Sequence, residues 1–306
     1  MRLIFIATGE IALPSFRYLL EHGPRPVALV AQPDKPTGRH QTLTPPAIKV
    51  EALAAGIPVF QPEKIGDITA ELAALEPEVL VVMAYGQILR ANILNLASKA
   101  IINLHASLLP KYRGAACIQA AIDAGDCETG ITAMHVVREL DAGDVILSKS
   151  IPIADDETGG SLHDRLAELA PVVLAETLDQ LAAGTAPRVP QDAAASSYIS
   201  KLERDDGRLD WSQDAAALER RIRAYDPWPG TFTLATEDGH AKRLKIFPSV
   251  TVLDEHLSPG EISTAGGRLT VGCGAGALCL ETVQPDGSRR MSAADYLRGR
   301  KPTALV

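Results

Sequence analysis

Short, uninterrupted apolar runs, each followed by a stretch with helical spacing, dominate the first half of this chain. Residues 2–8, 26–31 and 78–84 lack the apolar–polar alternation of a strand with one wet face, so they predict strands buried on both faces. Residues 14–21, 47–55 and 68–75 predict the helices between them. Ala100-Ile101-Ile102 opens another strand, residues 131–138 and 145–151 predict two more, and a long helix follows over 161–183. Strands alternating with helices predict an α/β fold, a doubly wound, Rossmann-like, mostly parallel sheet.

The pattern then changes. Residues 184–197 are rich in Pro, Ala and Asp without periodicity and predict a linker. After a short helix near 215–224, brief strands such as 243–247, 268–273 and 277–283 are punctuated by turns, which predicts a small C-terminal OB-like β-barrel. The expected division is a catalytic domain over 1–184, a linker over 185–206 and a barrel domain over 207–306.

Composition narrows the functional classes. Aromatics make up 4% of the chain, too few for an extended base-stacking surface. The net charge of −8 argues against a generally basic nucleic-acid binder. It is unevenly spread: 13 of the 30 Lys and Arg but only 12 of the 38 Asp and Glu lie in residues 208–306. A polyanion would therefore meet a near-neutral second domain and one local basic loop. Cys117, Cys127, Cys273 and Cys279 form no CxxC pair and predict free structural thiols, with no metal site. No leader pattern and no apolar segment approaching ~18 residues is present, so the expected location is cytoplasmic. The first strand turn, Ala7-Thr8-Gly9-Glu10-Ile11-Ala12, is no dinucleotide fingerprint, and no phosphate-binding GxxxxGK[ST] loop occurs.

The chemistry concentrates in Asn103-Leu104-His105-Ala106-Ser107-Leu108-Leu109-Pro110-Lys111-Tyr112-Arg113-Gly114. With a side-chain period of two, Asn103 and His105 project from one face of a strand. Pro110 and Gly114 then force a loop at its carboxyl end, where open α/β sheets bind ligands. About one strand later comes Leu140-Asp141-Ala142-Gly143-Asp144, which alone would be a tight hairpin turn. Together, an amide, an imidazole and a carboxylate suit acyl transfer to an amine. The amine is its own nucleophile, and the site must stabilise a developing oxyanion and move protons.

This constellation resembles the signature of the 10-formyltetrahydrofolate-dependent formyltransferases. The resemblance implies catalytic roles for Asn103, His105 and Asp141, with Asp144 the less suitable acid because it begins the next strand. It implies a folate pocket lined largely by backbone, at Tyr85, Gly86, Gln87, Ile88 and Leu89, with residues 136–141 opposite and Ser107, Leu108, Leu109 and Pro110 beside it. The loop Gln32-Pro33-Asp34-Lys35-Pro36-Thr37-Gly38-Arg39-His40 is similar to the insertion of those family members that act on initiator tRNA, which places Lys35 and Arg39 at the nucleic acid. Leu209-Asp210-Trp211 and Arg223-Ala224-Tyr225-Asp226-Pro227-Trp228-Pro229 are similar to the family's junction with its C-terminal domain. The implied reaction moves the formyl group of 10-formyltetrahydrofolate to the amine of methionyl initiator tRNA, supporting translation initiation. It implies no metal, no membrane and a monomer.

Four departures stand out, one of them His40, which is not the usual neighbour of the loop Arg. Ala7-Thr8-Gly9 replaces the family's Gly-Thr-Pro, Cys117 stands where Pro is usual, and His135 where Gln is usual. The rival readings are a formyl transferase or hydrolase acting on a sugar nucleotide or water, and a folate- or tRNA-binding protein without catalysis. The Arg39 loop argues against the first, and the retained Asn, His and Asp argue against the second.

Overall fold

Leu3–Ala7 is wholly buried and hydrogen-bonds in parallel to Ala28–Val30 on one side and Val79–Met83 on the other, which makes it the spine of a seven-stranded sheet. The computed structural model describes every residue except Arg39, His40 and Asp238. It resolves into two compact units, Met1–Cys117 with Glu128–Pro152 and His163–Ile199, and Ile118–Cys127 with Ile153–Leu162 and Ser200–Val306.

In the first unit the sheet runs in the order Val145–Pro152, Glu128–His135, Ala100–His105, Val79–Met83, Leu3–Ala7, Ala28–Val30, Val59–Phe60. The last five strands are mutually parallel, and the first two are joined antiparallel at the edge. Ile4, Ile6, Leu80, Val82 and Ile101 form one buried face with Leu72, Leu89 and Ile93. On the opposite face Phe5 meets Phe16 of the helix Leu13–Glu21, ring centroids 5.7 Å apart. Each such buried side chain contributes about 1.5–3 kcal/mol of transfer free energy. The edge hairpin differs: Val145–Pro152 alternates between buried or half-buried and wetter positions, as a strand with one open face does. Residues 68–75, expected as one helix, divide into a 3-10 turn over Ile65–Ile68 and a helix over Thr69–Ala74.

Residues 185–199 fold back onto this unit. Val145 and Val189 exchange two backbone hydrogen bonds of 2.8 and 3.1 Å, and Tyr198–Ile199 pairs in parallel with Arg113–Gly114. Gly114 has to be glycine there. Its φ is +104°, and a Cβ would lie 2.2 Å from the Ile199 carbonyl oxygen.

The second unit holds two antiparallel sheets, Met291–Ser292, Thr282–Pro285, His240–Ile246, Thr231–Glu237, Ala304–Leu305 and Val250–Leu253, Ala277–Leu280, Leu269–Gly272, Ile262–Ser263. Trp211, Leu218, Ile222, Leu244, Val271, Leu278, Val283 and Tyr296 share its core. Two polar tips in that core find partners: Trp211 Nε1 donates to Thr233 Oγ1 at 2.9 Å, and Tyr296 Oη donates to Glu237 Oε1 at 2.6 Å. The apolar run at 277–283, which reads as one strand, is cut at Glu281. That side chain is exposed and its N–H turns to the Ser249 carbonyl, so the residues on either side join different sheets.

Candidate active site

The strand Ala100–His105 sits inside the sheet, with Asn103 opposite Val82 on one side and Met134 on the other. Its carboxyl end delivers Asn103 and His105 to one place. Asn103 Nδ2 donates to Asp141 Oδ1 at 3.4 Å, and His105 Nδ1 lies 3.8 Å from Asp141 Oδ2. The sequence therefore encodes a true convergence: an amide and an imidazole on one strand face meet a carboxylate from the 136–144 connection of the edge hairpin. That connection runs over 136–144, longer than the tight hairpin turn that its residues alone would predict. Asp144 is turned elsewhere and lies 3.7 Å from Arg188.

His105 is 7% exposed, and its Nε2 lies 2.9 Å from the Tyr112 carbonyl oxygen. A carbonyl only accepts, so Nε2 carries a proton; Nδ1 faces a carboxylate and is the second donor of an imidazolium. Burial opposes that charge. The neighbouring Cys117 side chain, the Asp141 carboxylate and the Tyr112 carbonyl together outweigh burial and push the imidazole up to about 9. Cys117 is itself buried and begins the helix Cys117–Ala124. The thiol expected from sequence to be structural is thus in contact with the central histidine.

The loop after His105 is pinned from beneath. Ser107 Oγ donates to the Lys111 carbonyl at 2.8 Å. Thr132 Oγ1 donates to the Ser107 carbonyl at 2.7 Å and accepts from Leu109 N at 3.2 Å. Thr132 carries no motif of its own; its one sequence signal is a hydroxyl within a buried apolar strand. Across the sheet, Gln87 donates through Nε2 to the Glu63 carbonyl and accepts from Ile65 N, both at 3.0 Å. Tyr85 is buried, and its hydroxyl is pushed up to about 12 by that burial.

Of the residues expected around a folate, Tyr85 and Leu89 are buried. Ile88, Val137 and Leu140 are exposed, at 71%, 41% and 50%. Leu108 is half-buried beside them in sequence and Gly86 carries φ +86°. Among the described residues no group of three or more His, Cys, Asp or Glu is arranged to hold a metal.

Lys35–Thr37 and Thr42–Thr44 form an exposed two-stranded ribbon. Its base is anchored: Lys49 Nζ reaches both Asp34 carboxylate oxygens at 2.8 Å, and Gln61 Nε2 reaches Asp34 Oδ1 at 2.7 Å. Arg39, the residue that the sequence places at the nucleic acid, and His40 beside it lie outside the described residues.

The family model described as formyl transferase matches residues 2–178, and the one for the formyl transferase C-terminal domain matches residues 201–301. A methionyl-tRNA formyltransferase of Akkermansia muciniphila is 48% identical over 98% of this chain and 96% of its own. That of Geobacter metallireducens is 43% identical over the same shares. The chain belongs to the methionyl-tRNA formyltransferase family. In fold it is similar to an N-formyltransferase from Helicobacter canadensis solved with folinic acid and dTDP-3-aminofucose, with a TM-score of 0.69 and 17% identity over 93% of this chain and 99% of that one. It is also similar to HypX from Aquifex aeolicus in complex with tetrahydrofolic acid, with a TM-score of 0.63 and 20% identity over 97% of this chain and 47% of that one.

The contact with Cys117 gives a first expected result. The imidazolium fraction of His105 falls as pH rises through about 9, and the same raised pKa contributes stability that is full below the ordinary 6.5 and lost through that window. Cys117→Ala removes one of the groups that hold the pKa up. The alkaline limb of the kcat–pH profile should therefore move towards neutral pH, while the rate below the ordinary pKa is nearly kept. Cys117→Pro, the usual family residue in a first helical turn, should do the same. An unmoved limb in both variants would show that the thiol has no bearing on His105.

Proposed function

We propose that this protein moves the formyl group of 10-formyltetrahydrofolate to the free amine of methionyl initiator tRNA, using Asn103, His105 and Asp141. The observation that carries the reading is the convergence of the Asn103 amide and the His105 imidazole on one Asp141 carboxylate. The folate supplies an activated formyl carbon; the amine attacks it, its bond to the folate nitrogen breaks, and the amine's proton ends on that nitrogen. Asn103 Nδ2 is held only at 3.4 Å, a contact weak enough for the amide to turn to an oxygen gaining charge. His105, protonated below about 9, offers a second N–H to that oxygen or a proton to the departing nitrogen. Asp141 keeps the imidazole charged and accepts the proton that the amine loses.

The exposed Ile88, Val137 and Leu140 support a folate surface between residues 85–89 and 136–141, with residues 107–110 expected beside it. Lys35 and Arg39 bring the acceptor arm. In the second unit, the two antiparallel sheets support its reading as an OB-like barrel, in a division at 1–184, 185–206 and 207–306. We place the protein in the cytoplasm as a monomer; among the described residues no helix is long and apolar enough to cross a membrane.

The testing assay offers the purified protein labelled 10-formyltetrahydrofolate with one of three acceptors: charged initiator tRNA, charged elongator tRNA, or an amino-sugar nucleotide. Label is expected on the initiator tRNA, weakly on the elongator and not on the sugar. Preferential labelling of the sugar nucleotide would overturn the assignment.

A further inference from the structure

Asp141 stands in an unfavourable backbone conformation. Its φ is +50°, and two residues later a Cβ on Gly143 would lie 1.7 Å from the His135 carbonyl oxygen. A turn of this kind persists only when its surroundings over-determine it. What over-determines it comes from far along the chain. Gln191 Nε2 donates to the Asp141 carbonyl at 2.9 Å and to the Gly143 carbonyl at 2.8 Å. Gln191 Oε1 accepts from Arg113 Nε at 3.0 Å and from Arg113 Nη2 at 2.8 Å. Two carbonyls facing the nitrogen and two N–H groups facing the oxygen admit one amide orientation, with every site of the amide used.

Arg113 is 4% exposed and is held in turn. Its Nη1 donates to Tyr198 Oη at 2.8 Å, and its backbone N–H donates to the Ser197 carbonyl at 2.8 Å. The next residue completes the clasp: Gly114 N donates to Asp141 Oδ2 at 2.9 Å. Gln191 thus fixes the backbone of the turn while Gly114 fixes its carboxylate, and the Arg113–Gly114 strand serves both.

We propose that Gln191 is a positioning residue of the formyl-transfer site, setting the place of the Asp141 carboxylate against His105 and Asn103 by clamping the two carbonyls of its turn. The proposal rests on the reading of Asp141 as a working group of that site. Gln191 itself touches neither the reacting atoms nor His105. A carboxylate displaced by about 1 Å can cost as much as 10²-fold in rate.

Two variants separate the parts of the clamp. Gln191→Glu keeps an acceptor for Arg113 but sets an oxygen against the two carbonyls; Gln191→Met removes donor and acceptor without adding charge. Each is expected to lower kcat roughly 10- to 100-fold, with KM for both substrates changed by no more than about two-fold. In an Asp141→Asn background the same change at position 191 should cost less than about two-fold, because the group whose place it sets has gone. Parent-like kcat in both single variants overturns the proposal, and so does an equal proportional loss in both backgrounds, which marks a general structural role. If Gln191→Met loses cooperative thermal unfolding, Gln191→Glu carries the comparison alone. Parent-like turnover of Asp141→Asn by itself would instead overturn the reading of Asp141. A strongly impaired Asp141→Asn beside fully active Gln191 variants sinks only the positioning role.

Discussion

Asp141→Asn and His105→Ala are each expected to lower turnover by a factor of ~10² or more, the usual worth of a positioned acid–base or oxyanion-stabilising group. The asparagine keeps the shape of Asp141 and can still accept from the Gly114 N–H, so the fold should survive. What goes is the charge 3.8 Å from His105 Nδ1 and the acceptor for the amine's proton. His105→Ala leaves the Tyr112 carbonyl without the imidazole N–H that lies 2.9 Å from it, and opens space at the end of the strand. Folate binding should change little in either variant, because the pocket proposed for it is lined by other residues. Single-turnover formylation together with folate titration checks both halves. Near-normal turnover in one variant removes that residue from the mechanism.

Arg39→Ala is expected to cripple formylation of methionyl-tRNA while folate binding and slow donor hydrolysis stay close to the parent. Arg39 follows the strand Lys35–Thr37, whose base is fixed by Lys49 and Gln61 on Asp34, and the Lys49 hydrogen bond chiefly holds the Asp34 carboxyl below its ordinary value. In the proposed reading the loop between Lys35–Thr37 and Thr42–Thr44 meets the nucleic acid, whereas Asn103, His105 and Asp141 lie on other elements. Arg39→Lys should rescue only in part, since an ammonium keeps the charge and loses the planar fork that suits phosphate and base edges. Formylation measured with intact tRNA and with a short aminoacylated acceptor fragment separates contact with the nucleic acid from chemistry. Parent-like rates with whole tRNA would remove the main local support for tRNA as acceptor.

The parallel strands were legible because burial on both faces leaves an unbroken apolar run, as in Leu3–Ala7 and Val79–Met83. The pairing of Asn103 with His105 was legible for an equally local reason, the period of two along one strand. Their meeting with Asp141 came through resemblance, since no local rule brings a hairpin turn to a strand 38 residues away. Nothing local marked Gln191. It stands in a Pro-, Ala- and Asp-rich segment whose composition reads as linker, and its partners lie 50 and 78 residues back. Thr132 was hidden for a related reason: a hydroxyl in a β-strand is common, and only the loop above it reveals the bonds it makes. At 277–283, apolar periodicity could not show that one run serves two sheets, because the break is a backbone matter at Glu281.

The return of residues 185–199 to the first unit also dictates an order in time. Gly114 and Asp141 are 27 residues apart, while the Tyr112–Ser197 bond closes a separation of 85. Loop-closure entropy adds about 0.6 kcal/mol per doubling, so the longer loop costs about 1 kcal/mol more to close. It must also wait until residues 191–199 have left the ribosome. A nascent chain that has emerged only as far as the long helix Gly159–Ala183 already owns every strand of the seven-stranded sheet, yet its Asp141 turn still lacks the Gln191 half of its clasp. The same segment, the last part of the first unit to arrive, is the natural first to leave in a partial opening of that unit. Amide exchange at Gly114 and in the 140–143 turn should therefore run ahead of the sheet's, and activity would fade on warming before the fold itself is lost.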